Sequence, residues 1–206
     1  PIRNPALALG LAGVNDWSVQ QPFLNIMKTA RPWIGHLPGQ WGGWGHDDLA
    51  KAGALGPGGW PLRLPPELTG ISTLILTDLP AEAVGMAGRY LLTYSGKGTL
   101  KVEGRAAIVE AAAGSISFDY TPGEGGVLIT LAAIDPADPI RDLTVVRADR
   151  ATALAAGEIF NPDWLARLSG VKGLRFMDWM QTNDSSLDYD ADRHLVEDAA
   201  GVDPLV

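Results

Sequence analysis

Hydrophobic and polar positions alternate over short distances in the middle of this 206-residue chain and follow longer periods at its two ends. Runs rich in Val, Ile, Leu, Thr and aromatic residues occupy 71–76, 89–94, 99–102, 106–110, 115–120, 127–133 and 140–146. Between them lie turn-forming stretches such as Ser95-Gly96-Lys97-Gly98, Glu103-Gly104 and Pro122-Gly123-Glu124-Gly125-Gly126. Short β runs at this spacing predict an antiparallel β-sandwich of about seven or eight strands. At the N-terminal end, residues 6–14 read as a short buried strand. Pro22 then suits a first helical turn, with Phe23, Ile26, Met27 and Ala30 at helical spacing and Pro32 as the stop. At the C-terminal end, Asn161-Pro162-Asp163 opens a helix through Leu168, Gly170 closes it, and 173–180 reads as a second buried strand. A helix feeding a strand belongs to the grammar of a parallel α/β barrel, not of the sandwich. The expected fold is therefore mainly β, an antiparallel sandwich with short flanking helices and remnants of a (β/α) barrel. Its expected segments are 1–66, 67–150 and 151–206.

The first segment holds five of the seven tryptophans, Trp17, Trp33, Trp41, Trp44 and Trp60. From His36 to Pro66, glycine and proline recur so often that the stretch is expected to be loop throughout. Large aromatic side chains are costly to leave in water. Trp41, Trp44 and Trp60 are therefore read in two ways: as a platform on which the apolar face of a sugar ring stacks, or as a cover for the open edge of the sandwich.

Composition removes several other chemistries. The 16 basic and 24 acidic residues give a formal charge of −8, and no Lys/Arg cluster could neutralise a run of phosphates, so nucleic acid is not an expected partner. No apolar stretch is long enough to insert across a bilayer. There is no cysteine, hence no disulfide or thiol chemistry. His36, His46, Asp47 and Asp48 lack the spacing of a metal site, and Asp188-Tyr189-Asp190-Ala191-Asp192 opens like a calcium loop without its glycine or closing glutamate. Neither a phosphate loop nor a serine nucleophile elbow is present, and no cofactor is expected.

A set of segments resembles a known family. Gly13-Val14-Asn15-Asp16-Trp17-Ser18, Lys28-Thr29-Ala30-Arg31-Pro32-Trp33, Asp138-Pro139-Ile140-Arg141-Asp142-Leu143 and Leu174-Arg175-Phe176-Met177-Asp178-Trp179-Met180-Gln181-Thr182-Asn183 are similar to the N-terminal half of large bacterial proteins described as glycoside-hydrolase-like or cellulose-binding. The resemblance implies that the first strand and helix begin a (β/α) barrel and that a sandwich is inserted before the barrel resumes at 174–179. Asp178, near the C-terminal end of a predicted barrel strand, and Asn183 in the following loop are candidate sugar contacts, the alternative being that Arg175 and Asp178 satisfy each other or cap neighbouring backbone. Glycoside hydrolysis needs two carboxylates flanking the bond, and barrel enzymes set them mostly on later strands. No complete catalytic pair is therefore expected within these residues.

The leading expectation is a noncatalytic carbohydrate-recognition or scaffold module, with Trp41, Trp44, Trp60, Asp178 and Asn183 as the sugar-contacting residues and a polysaccharide or cell-surface glycan as partner. Two others stand beside it: a structural component of a virion or surface appendage, such as a phage or gene-transfer-agent spike or fibre base docked to other protein subunits, and a fragment of a glycoside hydrolase. The short apolar run after Pro1 argues against a cleaved signal peptide. That reading allows a cytoplasmic or virion location, or export by a signal-independent route.

Overall fold

A computed structural model describes residues 8–11, 21–56, 59–77, 79–104, 109–111, 114–123, 125–171 and 173–176. The protein is mainly β, an antiparallel sandwich of two sheets. The larger sheet has six strands in the order β3-β2-β4-β9-β6-β7, where β2 is Ile34–His36, β3 is Gly43–Trp44, β4 is Gly70–Ile75, β6 is Gly98–Gly104, β7 is Val109–Ala111 and β9 is Val127–Ile134. The smaller has three, in the order β10-β5-β8, with β5 Gly88–Ser95, β8 Ser115–Tyr120 and β10 Arg141–Arg147.

Alternation explains how the two sheets meet. In Ser115-Ile-Ser-Phe-Asp-Tyr120 every second residue is buried, and Ile116, Phe118 and Tyr120 enter the core beside Tyr90, Leu92 and Tyr94 of β5. From the larger sheet, Ile71, Ile75, Leu100, Val102, Val127, Ile129 and Leu131 enter the same core. Tyr120 fastens one sheet to the other, its hydroxyl donating to the Leu76 carbonyl at 3.1 Å. Leu76 takes a left-handed φ of 53°, which ends β4 one residue before the expected limit of 76.

A third, separate pairing joins the ends of the chain. Strand β1 (Ala8–Leu11) lies parallel to β11 (Gly173–Phe176), with Ala8 opposite Gly173 and Leu11 opposite Phe176. Both runs were expected as strands, and Met177 to Met180 lie outside the described residues.

Two expectations for the first segment need correcting. Residues 36–66 are not loop throughout: they contain β3 and helix α1 (His46–Lys51). Glycine and proline concentrate on either side of 46–52, which has neither, and Asp47 and Asp48 in its first turn and Lys51 in its last suit the helix dipole. Leu49, fully buried, docks that helix. The helix expected after Pro22 is reduced to a 3₁₀ turn over Ile26–Thr29, capped by Asn25. Upstream backbone is committed elsewhere: Phe23 forms a bridge to Phe160, and the Leu24 amide donates to the Ile159 carbonyl at 2.8 Å. Asn25 Oδ1 also accepts from the Val145 amide at 3.0 Å, tying this turn to β10.

The C-terminal helix follows the sequence closely. In α3 (Pro162–Arg167), Asn161 caps through its side chain to the Asp163 amide at 3.0 Å, and Gly170 has a φ of 89°. Helix α2 (Ala151–Ala155) was not anticipated; it continues a 3₁₀ turn at the end of β10. Strand pairing crosses the compositional boundary near residue 66, because β2 is hydrogen-bonded to β4 with Ile34 opposite Ser72.

Candidate functional site

Strand β2 organises three of the five expected sugar contacts, and treats them differently. Trp44 lies opposite Gly35, on the face of the sheet where Leu49 and Leu68 also approach Gly35, and packs against the core. Trp60 also packs against the core and meets Trp33 at a ring separation of 6.1 Å. These two fit the role of covering the sheet edge. Trp41 does not: at 61% exposed it is the most exposed large hydrophobic side chain among the described residues. Asp178 and Asn183 lie outside the described residues.

The side chain that Trp41 packs against belongs to no motif that would announce it. The Trp41 ring lies 4.4 Å from that of His36, with a 37° interplanar angle. His36 is buried and its imidazole is fixed on both nitrogens. Nδ1 accepts from the Gly42 amide at 2.8 Å, so Nδ1 carries no proton and Nε2 must. Nε2 therefore donates to Ser72 Oγ at 2.7 Å, and the Ser72 and Thr130 hydroxyls are hydrogen-bonded to each other, also at 2.7 Å. Gly42 can bring its amide to the ring because it adopts a φ of 74°, which a side chain would strain.

This arrangement positions an aromatic ring and does not activate a nucleophile. Ser72 accepts a hydrogen bond from His36, where a serine nucleophile would donate one to its base. Burial holds the His36 pKa below the usual imidazole value, partly opposed by the Glu103 carboxylate, so the ring is neutral at pH 7. Its folded pKa lies below its unfolded one, so the unfolded chain binds the extra proton first. Stability contributed here is complete above about pH 6.5 and is lost as pH falls through the folded value. Urea midpoints taken from pH 8 to pH 5 are expected to fall further for the wild type than for His36→Gln, and parallel curves would show that His36 is not the titrating group.

Ser72, Thr130, Lys101 and Glu103 share with His36 the face of the larger sheet turned away from the core between the sheets, where Ser72 and His36 are nonetheless buried. Thr130 is directly opposite both Ser72 on β4 and Lys101 on β6, and Lys101 pairs with Glu103 at 2.9 Å. The inner neighbours, Leu100, Val102, Ile129 and Leu131, are buried in the core. A concavity of about 180 Å³ among Phe23, Lys28, Leu154 and Glu158 lies away from Trp41 and is smaller than the roughly 300–1,000 Å³ of ordinary ligand pockets. Among the described residues no group of three or more His, Asp or Glu could hold a metal ion. Asp48 instead accepts from the Gly45 amide at the start of α1.

Only the tryptophans carried a signal in the sequence. His36 drew notice only within a rejected metal set, and Ser72 and Thr130 drew none, because it is strand register that joins residues 36, 72 and 130. Set against family models, curated proteins and solved structures, the chain matches none of them.

Proposed function

We propose that this protein is a noncatalytic carbohydrate-recognition module, carried on the opening strands of a barrel as in the glycoside-hydrolase-like family it resembles. The observation that carries the reading is Trp41: a large ring left in water, yet fixed by a buried and fully bonded histidine. An indole ring fixed at a surface offers a sugar ring an apolar contact at little entropic cost on binding. The parallel pairing of β1 with β11, strands separated in sequence by the whole sandwich, suits a layout in which the sandwich is inserted between two barrel strands.

The test is a polysaccharide array of celluloses, xylans, mannans and peptidoglycan, probed with the wild-type chain and Trp41→Ala. The variant is expected to keep its circular dichroism spectrum and lose at least about tenfold in affinity. Trp44→Ala and Trp60→Ala should act through stability instead. Unchanged binding by Trp41→Ala, or no glycan bound by the wild type, overturns the proposal.

A further inference from the structure

We infer that the concavity walled by residues 23–28 and 154–159 binds a free α-amino acid with an apolar side chain of medium size, such as leucine. The inference goes beyond the carbohydrate reading and concerns another part of the surface, since none of the lining residues touches Trp41.

Hydrogen bonding sets the walls. Two stretches far apart in sequence are clipped together, the Leu24 amide donating to the Ile159 carbonyl at 2.8 Å and the Asn161 amide to the Pro22 carbonyl at 2.6 Å. Phe23 lies between these bonds, 3% exposed, its ring stacked on Phe160 at 5.9 Å and Phe160 in turn on Trp164 at 5.5 Å. Walls fixed in this way need no ordering when a ligand arrives. Phe23, Leu154 and Ile159 give the lining its apolar surface, and Lys28 and Glu158 bring one charge of each sign to it. Asn25 adds a neutral donor of fixed orientation. Its Oδ1 accepts from the Met27 amide at 3.1 Å and from the Val145 amide at 3.0 Å, so the oxygen faces those two donors and the Nδ2 protons are left for a ligand.

Size and charge select the ligand class. A cavity of about 150 Å³ holds a benzene molecule, so the 180 Å³ here takes one aliphatic side chain with its polar end at the mouth. Lys28 and Glu158 together carry no net charge, so a simple carboxylate or a simple amine would meet one attractive and one repulsive partner. A zwitterion satisfies both. Its carboxylate accepts from the Lys28 ammonium group and Asn25 Nδ2, its ammonium group donates to Glu158, and both contacts are of the stronger, charge-assisted kind.

Proton–nitrogen correlation spectra of the full chain, titrated with leucine, test the inference. Saturable shifts are expected at the Leu24, Lys28, Glu158 and Ile159 amides, with half-saturation near about 1 mM. Glycine, which lacks the apolar group, is expected to bind at least about tenfold more weakly. N-acetylleucine, without the ammonium group, and leucinamide, without the carboxylate, are each expected to lose about tenfold. Glu158→Gln should weaken leucine about tenfold and leave N-acetylleucine unchanged, while Lys28→Gln should weaken leucine and leave leucinamide unchanged. Glu158 is exposed, so its variant should remain folded. No saturable shift with leucine, equal affinity for leucine and glycine, or affinities for leucine and N-acetylleucine that respond alike to Glu158→Gln would each overturn the site. Glycan binding and its loss in Trp41→Ala bear only on the carbohydrate reading, so the two proposals fail separately.

Discussion

Gly96→Ala is expected to destabilise the protein by about 3 kcal/mol or more, a large share of the stability of an ordinary domain. Gly96 has a φ of 88°, which alone disfavours any side chain, and a Cβ there would run into the Pro139 carbonyl. Neither group can yield easily, since Gly96 lies where the chain leaves β5 in the smaller sheet and enters β6 in the larger. Alongside, residues 135–140 carry the chain from β9 in the larger sheet to β10 in the smaller. The two crossings are bonded together, the Lys97 amide donating to Asp138 O at 2.7 Å and the Asp135 amide to Lys97 O at 2.9 Å. Gly157→Ala is the control: its φ is 86°, but no described atom lies within 4 Å of a Cβ placed there, so only the backbone term of about 1–2 kcal/mol should appear. Chemical denaturation of both variants decides the matter. Equal losses would show that the corner does not depend on close approach at Gly96.

That corner also marks what could be read from the sequence. Ser95-Gly96-Lys97-Gly98 announces a reversal between two β runs, and the reversal is there. The same residues would serve a hairpin within one sheet, so local chemistry does not reveal that β5 and β6 belong to different sheets. Residues 115–120 were legible to both ends because strict alternation makes one face apolar and the other polar. Strands β2 and β3 were not legible: with three and two residues, they are too short to show a period, and their pairing with β4 is what makes them strands. The tryptophans show the same limit. Trp41 and Trp44 sit three residues apart among the same glycines, and only the register that puts Trp44 opposite Gly35 sends one to the core while the other stays in water.

Register also separates core from surface across neighbouring strands, and Ile129→Ala exposes the division most sharply. Ile129 is fully buried in β9, with β4 on one side and β6 on the other, opposite Thr73 and Val102. Truncating it removes most of a buried aliphatic side chain from the shared core of the two sheets and leaves a cavity that hydrogen-bonded strands on both sides cannot close. The expected cost is about 2–5 kcal/mol. Lys101→Ala, on the opposite face of the neighbouring strand, should cost no more than about 0.5 kcal/mol, because its side chain reaches solvent and its ion pair is screened. Denaturation midpoints measured on both variants should therefore separate: stability falls with Ile129→Ala and persists with Lys101→Ala. A loss of comparable size in Lys101→Ala would mean that the ion pair on this face of β6 belongs to the folding core.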